Sequence, residues 1–149
     1  MLSAEPITVG TPAPKITART DKDTTINLGE ALSDGTTLVF FYPKAMTPGC
    51  TKQACSLRDA WESLLQRKVK VFGVSSDKVT TQAAFKDKYK LPYTLIADRE
   101  GTVSAAFGKN RFSRHAYIFK DGHLVWRDLN ASTQSQADDV LAVLDSLDK

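Results

Sequence analysis

Three short apolar runs constrain this chain more than any other feature: Thr37-Leu38-Val39-Phe40-Phe41-Tyr42, Val69 to Ser75, and Tyr93 to Ala97. They are apolar at successive rather than alternate positions, which is how a strand reads when both its faces are covered. Helical patterns separate them, at residues 48–67, 79–89, a short one near 101–107, and 134–147. The last carries Ala137, Val140, Leu141, Leu144 and Leu147 on one stripe, a docking face for a sheet. Between Ala116–Phe119 and Leu124–Trp126 lies Lys120-Asp121-Gly122-His123, and Asp-Gly between apolar runs marks a hairpin. Residues 16–19 and 24–28, flanking Asp21-Lys22-Asp23, predict an opening hairpin. Strand–helix–strand alternation followed by a hairpin and a closing helix predicts an α/β fold, a mixed central sheet with helices on both faces.

A length of 149 residues suits one domain, and 42% apolar residues argue against disorder. No segment approaches the ~20 apolar residues needed to span a bilayer. Met1 to Thr20 lacks a basic end followed by an apolar block, so no secretory signal is read there. The net charge of +3 comes from scattered side chains, with Lys68-Val69-Lys70 and Lys86-Asp87-Lys88 the nearest to clusters; this predicts a solvated surface and no nucleic-acid partner. Two cysteines are too few for a disulfide scaffold. The expected compartment is the reducing cytoplasm, where a close cysteine pair is catalytic, redox-active or metal-binding rather than structural.

Both cysteines lie in Tyr42-Pro43-Lys44-Ala45-Met46-Thr47-Pro48-Gly49-Cys50-Thr51-Lys52-Gln53-Ala54-Cys55, where an apolar strand turns into a helix. Thr47-Pro48 is a helix start, threonine as N-cap and proline at the first helical position. Cys50 then falls at the third, among N–H groups without intrahelical partners, and the positive helix end favours its thiolate. Ala54, Leu57, Trp61, Leu64 and Leu65 form one apolar stripe with Cys50 projecting onto its middle, while Cys55 lies roughly 140° away, towards the outer side. Five residues of intact helix separate the two Cα atoms by about 8.7 Å. A disulfide needs less than about 7 Å with converging Cβ vectors. Closing the pair therefore requires the first helical turns to unwind, which Pro48 and Gly49 make easiest at that end.

Ionisation alone explains little reactivity. A thiol of ordinary pKa is already ~3% thiolate at neutral pH, so complete ionisation adds at most ~30-fold. Fast attack by such a thiolate needs donors aimed at the negative charge that develops on the group it displaces. The Thr47 hydroxyl, N–H groups near Gly49 and Cys50, and an arginine are the candidates; arginine offers several donors in a fixed fork at any relevant pH.

Pro43-x-x-x-Thr47-x-x-Cys50, with a second cysteine after four intervening residues, resembles the motif of peroxiredoxins, specifically the bacterioferritin-comigratory-protein (peroxiredoxin Q) group. Weaker likeness runs through Gly10-Thr11-Pro12-Ala13-Pro14, Val74-Ser75-Ser76-Asp77 and Leu95-Ile96-Ala97-Asp98. The resemblance implies a thioredoxin-like fold, which the element order fits, and a thiol peroxidase without metal or organic cofactor. It implies that Cys50 is peroxidatic and Cys55 resolving, that Thr47 orients thiolate and peroxide, and that Pro43 shields the pocket from water. The family's arginine best matches Arg114, ahead of Ala116-Tyr117-Ile118-Phe119. Two departures, a short connection from Phe107-Gly108 and Ala116 where a small hydroxyl is common, leave Arg111 as a rival. The implied partners are hydrogen peroxide or organic hydroperoxides and a thioredoxin or glutaredoxin-like dithiol, with a monomeric protein.

Three other readings compete. A zinc site would combine Cys50 and Cys55 with His115 and His123, but the histidine spacing exceeds the usual three to five residues. A protein thiol–disulfide oxidoreductase normally uses Cys-x-x-Cys, which this pair is not. A redox-sensing or holdase role is compatible with peroxidase activity.

Overall fold

The computed structural model describes residues 6–109, 113–133 and 135–147. The opening hairpin pairs β1 (Thr17–Arg19) with β2 (Thr25–Asn27) antiparallel, and the one-turn α1 (Leu28–Ala31) follows. The centre of the molecule is β3 (Thr36–Phe41), leading into α2 (Pro48–Asp59) and α3 (Trp61–Gln66). Then come β4 (Val69–Ser75), α4 (Val79–Tyr89), β5 (Thr94–Ala97), α5 (Thr102–Ala106), the hairpin β6 (Ala116–Lys120) and β7 (His123–Asp128), and α6 (Gln136–Leu147).

The main sheet has five strands in the order β5-β4-β3-β6-β7. β3 runs parallel to β4 and β4 to β5, while β6 and β7 run antiparallel. β3 is central and helices cover both faces, which is why its sequence is apolar without alternation. Leu38, Phe40 and Tyr42 enter one core with Cys50, Ala54 and Leu57 of α2, Phe85 of α4, and Val140 and Leu144 of α6. Val39 and Phe41 enter the other with Leu28 of α1, Val103 of α5, and Phe107. Asp121 and Gly122 turn at φ of 50° and 88°, the double positive pair of a type I′ hairpin.

Both sheet edges are covered. Asp21 accepts from Leu95 N (2.9 Å), its other carboxylate oxygen meets Lys86, and Thr20 bridges to Ile96 along β5. On the far side Gly10 N donates to Leu124 O and Leu124 N to Thr11 O, sealing β7 with the segment that contains Pro12. Unpaired strand edges template aggregation, and these bonds occupy part of each edge.

Two expectations need correction. The helix at 48–67 is interrupted at Ala60 (φ −93°, ψ 5°), giving α2 and α3. The interruption takes Leu65 out of the stripe, leaving it 54% exposed, while Leu64 stays buried. The bend lets the chain return to β4, and ideal helical spacing does not anticipate it. α1 was not expected either. One turn is too short for periodicity, but Asn27 accepting from Glu30 N (3.1 Å) is a cap visible as Asn-x-x-Glu.

Candidate active site

Where β3 ends, Tyr42 turns its side chain into the core and its hydroxyl donates to Gln82 Oε1 (2.6 Å), whose amide donates to Ile96 O (2.8 Å). Burial pushes the Tyr42 phenol far above its ordinary range, so it keeps the proton it donates. The loop from Pro43 to Thr47 is anchored from outside itself. Asp77 Oδ2 accepts from Ala45 N (2.7 Å) and from the Ser75 hydroxyl (2.6 Å). Met46 takes a left-handed φ of 70°, which turns the chain into the helix. Pro43, half-buried at the head of this loop, also lines a groove with Lys44, Asp77, Lys78 and Arg99.

Thr47 occupies the N-cap position of α2 in extended backbone, but its hydroxyl does not cap. It donates instead to Lys44 O (2.7 Å), and Thr47 O accepts from Thr51 N (2.9 Å). The expected side-chain cap is thus replaced by a bond within the loop. The first turn of α2, which contains Cys50, keeps N–H groups without a side-chain cap.

Cys50 is fully buried on the core side of α2. Arg114, just ahead of β6, donates through Nη1 to Cys50 Sγ (3.2 Å) and to Gln53 Oε1 (3.0 Å). Gln53, also fully buried, donates to Phe41 O (3.3 Å), so one amide ties the guanidinium to the end of β3. Arg114 O accepts from Ala131 N (3.0 Å). Room for the guanidinium exists because residue 49 has no side chain: a Cβ there would sit 2.7 Å from Arg114 Nη2. A guanidinium donating to a thiolate is a charge-assisted bond, stronger than a neutral one, and has further N–H groups for an incoming oxygen. Arg111, the rival, lies outside the described residues.

Cys55 sits one and a half turns further on, half-buried, in a groove of about 500 Å³ shared with Lys52, Ser56, Asp59, Thr133 and Ala137. Burial pushes its thiol up; Arg58 pulls it down and Asp59 adds to the rise. Both cysteines are free and α2 runs unbroken between them.

The family model described as the AhpC/TSA family matches residues 9–127. This chain belongs to that family. It is a peroxiredoxin, and peroxiredoxins are thiol peroxidases. Peroxiredoxin bcp1 of Schizosaccharomyces pombe is 33% identical over 145 residues, covering 93% of this chain and 74% of that one. A chloroplastic peroxiredoxin Q of Suaeda salsa is 48% identical over 71 residues, 48% of this chain and 33% of that protein. Among solved structures, Peroxidoxin BcpB from Mycobacterium tuberculosis superposes with a TM-score of 0.85 at 32% identity, covering 93% of this chain and 97% of that one. The thioredoxin-like peroxiredoxin architecture is therefore shared along nearly the whole chain.

In this peroxiredoxin the structure joins Cys50 and Arg114 directly, sets Thr47 at the head of the same helix, and leaves Cys55 on another face. Sequence reasoning passed over Gln53 and Asp77. Gln53 stands three residues after Cys50, hence on the same helix face, and that spacing was a usable signal. Asp77 reaches the loop only through the fold. His115 is buried against the Tyr117 hydroxyl (2.7 Å) and His123 stands exposed on the hairpin. Among the described residues, no group of three or more His, Cys, Asp or Glu is placed to hold a metal ion. No helix among them is long and apolar enough to cross a membrane.

Proposed function

We propose that this peroxiredoxin reduces hydrogen peroxide and organic hydroperoxides through Cys50, with Cys55 as the resolving thiol and a dithiol protein, thioredoxin or glutaredoxin-like, as reductant. The Cys50 thiolate attacks one peroxide oxygen; the S–O bond forms as the O–O bond breaks. The leaving oxygen takes a proton and departs as water or an alcohol, and Cys50 is left as a sulfenic acid. The Cys55 thiol then attacks the Cys50 sulfur, water leaves, and a disulfide results. The external dithiol returns both residues to thiols by exchange and is itself oxidised to a disulfide. Arg114 stabilises the thiolate and the charge on the departing oxygen, Thr47 orients the peroxide, and Pro43 limits water access. The protein works as a monomer in the cytoplasm.

The observation that carries this reading is the Arg114 guanidinium, 3.2 Å from a fully buried Cys50 sulfur at a helix start. Stopped-flow peroxide kinetics test it. Cys50→Ser should abolish peroxide consumption, while Cys55→Ser should complete one reaction and lose turnover with thioredoxin. Arg114→Gln should slow the first step far more than Arg111→Gln. The reverse ranking would move the arginine role, and undiminished turnover in Cys55→Ser would remove Cys55 from resolution.

A further inference from the structure

Ala131, Thr133 and the start of α6 lie beside the site and the helix that, on the proposed function, must open. Ala131 N is bonded to Arg114 O (3.0 Å), the Thr133 methyl lies 3.6 Å from where a Gly49 Cβ would stand, and Ala137 N donates to Ser56 Oγ (3.2 Å). These contacts bracket Gly49 to Ser56, the stretch that contains both cysteines.

The bond at Ser56 is unusual in its origin. The first N–H groups of a helix need outside acceptors, normally from the residue just before it. Ser135 is in that place for α6, and its carbonyl accepts from Asp139 N, but its hydroxyl donates to Asp139 Oδ2 (3.2 Å). The hydroxyl that serves Ala137 N comes instead from Ser56, 81 positions earlier and next to Cys55. Thr51 Oγ1 of α2 and both amide atoms of Gln136 at the start of α6 are also buried without a hydrogen-bond partner. Such atoms favour any motion that lets water reach them.

We propose that Ser56 is a positioning residue for the resolving step: its bond to Ala137 is a latch that holds α2 closed, and disulfide formation releases it together with the start of α6. The inference rests on Cys55 being the resolving thiol. Cys55 faces the groove, about 140° around the helix from Cys50, so making the two Cβ vectors converge turns the backbone through residue 55. On this proposal the unwinding that begins at Pro48 and Gly49 runs through residue 55, and Ser56, the next residue, gives up its bond to Ala137 N. Redox state at the cysteines is thereby transmitted to the C-terminal helix.

The test follows the two steps separately after adding peroxide to reduced protein, by tryptophan fluorescence (Trp61 in α3 and Trp126 in β7) and mass spectrometry of quenched samples. Ser56→Ala should leave the peroxide step unchanged, speed disulfide formation about fivefold, as losing one cap shifts an equilibrium, and lower the sulfinic acid fraction at high peroxide. Ser56→Thr should return both to wild-type behaviour. Hydrogen exchange on the wild-type protein needs no variant, and the Ala137 amide should lose protection on oxidation. Disulfide formation at the wild-type rate in Ser56→Ala, or an Ala137 amide equally protected in both redox states, overturns the latch. Absence of any Cys50–Cys55 disulfide in the wild-type protein overturns the resolving role instead, and the latch with it.

Discussion

Gly49 shows how much one missing carbon can decide. In a helix, replacing glycine by alanine ordinarily stabilises by roughly 0.5–1 kcal/mol. Here the added Cβ would stand 2.7 Å from Arg114 Nη2 and displace the guanidinium from Cys50. Gly49→Ala should therefore keep or raise the melting temperature while slowing the reaction of Cys50 with peroxide by about tenfold or more, the worth of a hydrogen bond to a charged group. Stopped-flow kinetics beside a thermal melt checks this, and equal losses in both would mean a merely structural glycine. Gln53 acts on the same guanidinium from the other side. Gln53→Leu removes the acceptor that holds Arg114 Nη1, so the rate should fall while Cys50 stays buried.

At the scale of elements, the proposed mechanism gives α2 two conflicting duties. Closed, as the structure has it, α2 buries Cys50; open, it would bring Cys55 to the same sulfur. The Cys55 thiol supplies a pH lever on this balance. Burial and the Asp59 charge hold its pKa above the ordinary thiol value in the closed helix. A group whose folded pKa is raised contributes stability at low pH that is lost as pH rises. Opening and Cys55 ionisation are therefore both favoured by alkali, and disulfide formation should accelerate as pH climbs through the thiol range. Asp59→Asn removes a contribution to the rise and should move that acceleration to lower pH, read from the second fluorescence phase across a pH series. A pH-independent second phase in both proteins would contradict it.

At the scale of the whole molecule, His115 contributes to acid sensitivity. It is 5% exposed, bonded to the Tyr117 hydroxyl, and burial pulls its pKa down to about 4, with Lys109 acting in the same direction. The unfolded chain takes up the proton near its ordinary value while the folded chain refuses it. That contribution to stability is thus intact above about pH 6.5 and lost as pH falls towards about 4. His115→Gln should flatten the acid side of the melting-temperature profile in that window. An unchanged slope would place the acid sensitivity elsewhere.

The strands, the hairpin turn and the seat of Cys50 were legible in the sequence because each is written locally: apolar runs for covered strands, Asp121-Gly122 for the turn, Thr47-Pro48 for the start of α2. Amphipathic spacing likewise separated the faces of Cys50 and Cys55. What depended on residues far apart was out of reach of local patterns. The break at Ala60, Asp77 on the Pro43 loop, Gln53 clasping Arg114, and Ser56 capping α6 are all set by packing. Periodicity and capping propensity act over a few residues, so sequence alone determined the main strands and helices and the place of Cys50 at a helix start. Hydrogen bonds across the sheet and between helices join positions tens of residues apart, and only the tertiary structure could decide that Arg114 and Gln53 meet at Cys50 and that Ser56 meets the start of α6.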